Sequence, residues 1–288
     1  MRVRGRSLAA ALVLMAVWVA GCGATHPNGA AGGTATPFPA STPFPGSSPA
    51  PPGVTAEIAK LVAHLPPGST SIAARNLQTG AQFTHGSSGG HPTASIFKVN
   101  IIEALMLKHQ ESGQPLSESE SHSANNMIVT SDNDSAEHLY REVGGAHGIK
   151  AANQALGLTC TQPDQESWGL TETCAADQVQ LLYQLVNPSS PLNQASREYI
   201  LKLVQNVSPS QRWGVPAVAD PGTTFAVKNG WLDLEEGRDW VINSLGIVTY
   251  QGHTLLLATL TQNNHSMEAG VSLNEQLSKL AAESVTVQ

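Results

Sequence analysis

Strand-forming sequence lies at both ends of residues 54–288, and helix-forming sequence fills the space between. Near the start, 70–76 and 81–84 are strand-like runs joined by the turn residues Gln78-Thr79-Gly80. Near the end, 224–227, 240–250 and 254–261 are β-rich. Helical patterns occupy 55–65, stopped by Pro66-Pro67-Gly68, then 94–109, 124–130, 135–143, 176–185 and 197–207; a last helix, 267–284, closes the chain. Strands split in sequence but neighbours in space predict one antiparallel sheet assembled from both ends, with helices packed on it: an α+β fold. The helical middle then forms a lobe, and a cleft between lobe and sheet is where a site is expected.

The helix predicted over 94–109 is apolar at Ile96, Val99, Ile101, Ile102, Leu105, Met106 and Leu107. That spread is too wide for one face, so the helix is expected to be buried on most sides. Its first turn carries Ser95 and Lys98. Residues three apart share a helix face, which brings the amine within reach of the hydroxyl. Serine is a weak nucleophile until a neighbour takes its proton, and a lysine with a lowered pKa can do so. Alone the pair is a weak signal; its place in so apolar a helix singles it out.

Two other segments carry comparable groups. Ser131-Asp132-Asn133 reads either as a helix N-cap or as part of a site. Lys228-Asn229-Gly230 ends a strand-like run before Trp231, and Asn-Gly is also a hairpin dipeptide. In order, Ser95-x-x-Lys98, Ser131-Asp132-Asn133 and Lys228-x-Gly230 resemble the three-motif set of class A β-lactamases and penicillin-binding proteins. The resemblance covers nearly all of 54–288 and includes Gly144-Gly145, Trp168-Gly169-Leu170-Thr171 and the strand–strand–helix ending. It is nearest to bacterial lipoproteins and exported proteins of the β-lactamase-like serine hydrolase group. The fold it implies is β-lactamase/transpeptidase-like: a five-stranded antiparallel sheet flanked by helices, plus a reduced all-helical lobe.

The same resemblance implies roles. Ser95 would attack a carbonyl of a β-lactam or peptidoglycan-type amide and form an acyl-enzyme, with Lys98 accepting its proton. Ser131 would relay a proton to the leaving nitrogen, and Asn133 would hold the substrate's amide side chain. Lys228 would supply positive charge for a substrate carboxylate, on a binding edge continued by Asn229, Gly230 and Trp231. The backbone N–H groups of Ser95 and Trp231 would form the oxyanion hole. Asp132 is expected to shape its loop. No cofactor is implied.

Two departures from the pattern stand out. Asn229 occupies the middle of the third motif, where a threonine or serine is usual, so a hydroxyl is lost. The loop from Gly157 to Thr171 is roughly ten residues short and lacks the glutamate context that deacylates class A enzymes; Glu166 and Glu172 read as solvated loop charges. Acylation followed by slow deacylation is the expectation. Trp168, Trp213 and Trp231 lie beside motif-like segments and read as a ligand rim or as core packing, and Arg212 as an anion contact or an ion-pair partner.

The N-terminus speaks to compartment. Arg2, Arg4 and Arg6 precede an uncharged apolar run, Leu8 to Ala20, that ends in Val19-Ala20-Gly21-Cys22. The run is short for a membrane span and resembles a lipoprotein signal over 1–21, with lipidation on Cys22. Of the 31 positions from 23 to 53, 21 are Pro, Gly, Ser or Thr, too few large apolar groups to form a core. Residues 22–53 are therefore expected to be the lipidated cysteine and a tether, and 54–288 the domain. Cys160 and Cys174 are an even pair in an oxidising compartment, read as a disulfide, with two buried thiols as the alternative. Net charge is −7, or −10 once the three leader arginines are removed, which argues against nucleic acid as a partner. Ten histidines without ligand spacing give no support for a metal. A monomer facing outside a bacterial cytoplasm, anchored to the membrane, is expected.

Two other readings compete with the serine hydrolase. One is a D-Ala-D-Ala carboxypeptidase-like enzyme, which would cleave such a peptide faster than a lactam ring. The other is a non-catalytic binding lipoprotein that keeps the fold.

Overall fold

The computed structural model describes residues 51–234 and 239–286. The leader over 1–21, Cys22 and most of the tether lie outside the described residues. Among the described residues no helix is long and apolar enough to cross a membrane.

Helix α1 (Pro52–Val62) leads into β1 (Thr70–Asn76) and β2 (Gln82–Gly86), followed by a two-residue strand, β3 (His91–Pro92). A 3-10 turn over Ala94–Phe97 precedes α2 (Lys98–Ser112). The lobe continues with α3 (Glu118–Val129), α4 (Asn133–Glu142) and α5 (Gly145–Leu156), then β4 (Glu172–Thr173), α6 (Ala175–Val186) and α7 (Gln194–Gln205). The chain returns to the sheet with β5 (Ala226–Asp233), β6 (Trp240–Tyr250) and β7 (His253–Asn264), and α8 (Met267–Thr286) closes it. The main sheet is antiparallel in the order β2-β1-β7-β6-β5, so β1 and β7, far apart in sequence, are central neighbours. Strands β3 and β4 form a separate small pair.

Alternation along the central strands builds two cores. Ile72 and Ala74 of β1 with Leu255 and Leu257 of β7 face Leu273, Leu277 and Ala281 of α8. Ala73, Leu256, Ala258 and Leu260 belong to the other core, with α2, α3 and α6. Both faces are covered, which explains the unbroken apolar run Leu255-Leu256-Leu257-Ala258. Helix α2 is buried nearly all round from Lys98 to Leu105, as its wide apolar spread predicts.

The structure differs from the sequence reading in four places. Ser95 is not in an α-helical first turn: it sits in the 3-10 turn, and α2 begins at Lys98. The Lys-Asn-Gly motif does not end a strand, because β5 runs on through Asp233 and Asn229-Gly230 pair with Ser244 and Asn243 in mid-strand. Helix α5 is an added element: glycines at 144, 145, 148 and 157 mask its pattern. Gly148 is required there, since a Cβ would lie against the Val143 carbonyl. Helix α3 also starts six residues before the predicted 124, at a capping box of Ser117 and Glu120 that the Ser-x-x-Glu spacing announces.

Candidate active site

The segment from His91 to Lys98 is held from two sides. His91 and Pro92 pair with Thr173 and Glu172, and the Thr93 N–H donates to the Thr171 carbonyl at 2.9 Å. From beneath, the Asn243 amide of β6 donates to the carbonyls of Pro92 (2.8 Å) and Thr93 (3.1 Å). Sequence reading passed over Asn243, a polar residue in the middle of an apolar strand and fully buried, which is its signal. Ala94 then takes φ 47°, a left-handed conformation that non-glycine residues adopt at a cost of about 1–3 kcal/mol. The following residue is Ser95, half-buried at the cleft.

Lys98 is fully buried and stands at the centre of a polar cluster. Its Nζ lies 2.9 Å from Ser95 Oγ, 2.7 Å from the Ser131 carbonyl, 3.1 Å from Ser131 Oγ and 2.7 Å from Asn133 Oδ1. Burial disfavours the ammonium form and lowers the Lys98 pKa to about 8, with the Asp132 charge opposing the shift. The Ser131 carbonyl and Asn133 Oδ1 can only accept, so they take two N–H groups of the amine. When Lys98 is neutral, its lone pair is left for the Ser95 hydroxyl.

Ser131, at φ 61°, is the second non-glycine residue in the site with left-handed backbone. Its hydroxyl lies between two amines, since Lys228 Nζ donates to it at 3.0 Å. Lys228 also donates to the Asn229 carbonyl at 2.9 Å and is fully buried; burial, reinforced by the neighbouring Lys98, holds its pKa well below the ordinary lysine range. Asp132 caps α4 by accepting the Ser135 N–H at 2.7 Å, and that hydrogen bonding lowers its pKa. The Ser-Asp-Asn segment is thus both an N-cap and a contributor to the cluster.

The structure brings Ser95, Lys98, Ser131, Asn133 and Lys228 into one hydrogen-bonded network. Gly230 fits against it closely: a Cβ there would lie 2.7 Å from the Ile96 nitrogen and 2.8 Å from the Ser95 nitrogen. Trp231 follows on the cleft edge, and Trp213 packs on it edge to face at 6.2 Å. Asn229 points elsewhere. Its Nδ2 donates to the carbonyls of Gln211 (2.9 Å) and Trp213 (2.8 Å), tying the 211–213 segment to β5. Arg212 directs its Nε to the Val207 carbonyl at 2.8 Å.

The cleft holds about 560 Å³ beside Ser95 and is walled by Asn133, Asp134, Glu137, Ser167–Leu170 and Trp231–Leu234. The loop between α5 and β4 carries Trp168, whose ring lies 5.0 Å from Lys98 Nζ. A disulfide joins Cys160 to Cys174 across the base of that loop. Glu166 and Glu172 are both exposed, and neither lines the cleft.

Comparison with known proteins places this geometry in context. The family model described as "Beta-lactamase enzyme family" matches residues 106–285, a span that begins beyond Ser95 and Lys98. The protein named "Putative lipoprotein LppW" of Mycobacterium tuberculosis and of Mycobacterium bovis is 29% identical over 188 residues, 62% of this chain and 58% of that protein. The match therefore spans less than two thirds of those relatives. Among solved structures, the TLA-1 extended-spectrum β-lactamase is similar with a TM-score of 0.71 at 16% identity, covering 82% of this chain and 99% of that one. PBP-A gives 0.69 at 21% identity (83% and 98%), and a β-lactamase from Chitinophaga pinensis gives 0.69 at 18% (79% and 97%). At these identities the likeness establishes the fold.

Proposed function

The chain belongs to the β-lactamase enzyme family, and from that premise we propose that it is an exported serine hydrolase or acyltransferase, lipid-anchored through Cys22, that forms an acyl-enzyme on Ser95. The observation that carries this reading is the position of Lys98, 2.9 Å from Ser95 Oγ with its pKa lowered to about 8. A neutral amine so placed takes the Ser95 proton as Oγ bonds to the substrate carbonyl carbon. The developing oxyanion is received by the N–H groups of Ser95 and Trp231. As the bond to the leaving group breaks, the proton passes from Lys98 through Ser131 Oγ to that group. Lys228 orients the Ser131 hydroxyl for this transfer. Asn133 Oδ1 accepts an N–H of Lys98, which leaves the amide N–H groups of Asn133 for a substrate carbonyl.

Deacylation is slow in this reading. Among the described residues no carboxylate joins the Ser95–Lys98–Ser131–Asn133 network, and Glu166 and Glu172 lie in solvent. PBP-A shares the fold, and a mutant of it has been crystallised as an acyl-enzyme with penicillin G. The substrates proposed are β-lactams or peptidoglycan-type amides. The lipoprotein name carried by the mycobacterial relatives supports the anchor.

Intact-mass measurement of the purified domain with a penicillin and a chromogenic cephalosporin tests this. A lasting adduct, absent in Ser95→Ala, is expected. Rapid colour without an adduct would refute slow deacylation. Neither signal, together with no labelling of Ser95 by a fluorophosphonate, would refute the nucleophile and favour a binding protein.

A further inference from the structure

We propose that Ser95 is acylated preferentially by donors whose acyl side carries an extended, uncharged apolar group, received between Leu170 and Leu234. The inference rests on Ser95 as the nucleophile and names the acyl-group class taken by that same site.

Among the described residues the exposed large apolar side chains are Leu170 and Leu234, 42% and 41% exposed. A single exposed leucine is ordinary on a protein surface. These two come from segments far apart in sequence, yet both line the cleft beside Ser95. Half-buried Trp168, Trp231 and Leu232 line it with them, so apolar side chains flank the cleft from two segments. Apolar surface left facing water inside a concave site marks where an apolar part of a ligand displaces that water.

Both segments pack against the turn that bears Ser95. A Cβ on Gly169 would lie 4.0 Å from Ala94 Cα, and one on Gly230 would lie 2.8 Å from the Ser95 nitrogen. The leucines therefore stand on frames fixed relative to Ser95 Oγ.

Strand β5 tells the acyl side of the cleft from the leaving-group side. Lys228 lies at the Ser131 end, donating to Ser131 Oγ at 3.0 Å, and that hydroxyl serves the leaving group in the reading above. Gly230 is level with Ser95. Beyond it the chain runs away from Ser131, and at about 3.3 Å per residue Leu234 falls roughly 13 Å past Gly230. Ser131 does not line the cleft, whereas Leu232 and Leu234 do. The open volume thus lies on the acyl side, and it is long enough for a chain of several carbons. The remaining wall, on α4, is polar: Asp134 and Glu137 line it, and Arg141 offsets Glu137 at 2.8 Å. An uncharged chain lies along the two apolar segments without contest from those carboxylates. A β-lactam with an apolar side chain meets the same requirement.

A series of p-nitrophenyl esters with one leaving group and a lengthening acyl chain tests this: acetate, butyrate, hexanoate and octanoate, each below its solubility limit. In every member the Ser95 Oγ–C bond forms and the C–O bond breaks. The p-nitrophenolate leaves with the electron pair, and the serine proton passes to Lys98. Nitrophenolate release that is lost in Ser95→Ala, corrected for hydrolysis in buffer, gives kcat/KM for acylation. That value is expected to rise roughly twofold per methylene, below the roughly fourfold that full burial of each would give. Leu170→Asn combined with Leu234→Asn should lower the octanoate-to-acetate ratio on the order of tenfold. If the double variant loses its native circular dichroism, the single variants decide, each lowering the ratio about threefold.

A series that is flat or falls with chain length would overturn the proposal. So would an octanoate-to-acetate ratio untouched by the leucine variants, or no Ser95-dependent release from any ester. Fluorophosphonate labelling of the same sample separates the two failures: labelled Ser95 means that the acyl selectivity is wrong, unlabelled Ser95 that the nucleophile is.

Discussion

The indole ring of Trp168 lies 5.0 Å from the Nζ of Lys98, so the loop between α5 and β4 presents an aromatic face, not a carboxylate, to the amine beside Ser95. That contact and burial in the cluster act in opposite directions on the charge of Lys98. An aromatic face attracts an ammonium; exclusion of water disfavours it, and the net pKa falls to about 8.

Acylation of Ser95 should therefore depend on pH through Lys98. The reactive form is the neutral amine, so the rate should rise up to about pH 8 and level off above it. A fluorophosphonate labelling series from pH 6 to 10 measures this. Lys98→Met should lower the rate by about 10²–10⁴-fold, the usual worth of a positioned general base, and abolish the pH step. A profile that is flat through pH 8 in the native protein would assign the proton to another group.

Removing the indole should move that step. Trp168→Ala admits water beside Lys98, relieves the desolvation that dominates its shift and raises its pKa. The acylation profile of the variant should lie to higher pH than that of the native protein, with the plateau rate retained. An unmoved midpoint would mean that the rest of the cluster alone desolvates the amine.

The Cys160–Cys174 bridge closes the base of the loop that carries Trp168. Replacing both cysteines with alanine should lower stability by about 3 kcal/mol on the loop-entropy estimate, read as a fall in denaturation midpoint. Because β4 and Thr171 hold the loop to the His91–Thr93 segment as well, the fold should survive. The pH midpoint of acylation should shift in the direction of Trp168→Ala.

Gly230→Ala offers a sharp test of geometry. The new methyl would meet the Ser95 and Ile96 nitrogens at 2.8 and 2.7 Å, so β5 must back away from Ser95. A displacement on the order of 1 Å at such a site costs about 10²-fold in rate. Circular dichroism should be unchanged while acylation falls; full activity would mean that the contact is dispensable.

Glu103 predicts a pH effect on stability unconnected with acylation. Its carboxyl is fully buried in α2 with no hydrogen-bond partner, and burial raises its pKa well above 4.5. The folded protein then holds a proton that the unfolded chain releases near pH 4.5. The contribution of Glu103 is fully present below that value and is lost as pH rises toward the folded pKa. Glu103→Gln should be more stable than the native protein at neutral pH, and less so in advantage near pH 4. The difference between their urea midpoints across pH 4–8 measures it.

How much of this was legible in the sequence depends on the range of the forces involved. Local periodicity and turn residues carried the element order, since apolar spacing is imposed by which face each residue buries. The strand runs at 70–76 and 240–250 and the helix at 267–284 emerged nearly in place. The Ser-x-x-Lys, Ser-Asp-Asn and Lys-x-Gly segments were also readable, because each is short and the three occur in a recognisable order.

What the sequence did not decide was everything that rests on contacts across the chain. Asn229-Gly230 has the composition of a hairpin, yet pairing with β6 extends it as mid-strand, and the mutual approach of β5 and Ser95 demands the glycine. Asn243 is one polar residue in an apolar run until β6 passes beneath Pro92 and Thr93 and gives its amide two carbonyls. Lys98 is an ordinary lysine by composition; only burial among Ser95, Ser131 and Asn133 lowers its pKa. A pattern in sequence records what a segment can bury, and tertiary packing alone removes water from a chosen group and sets which partners it meets.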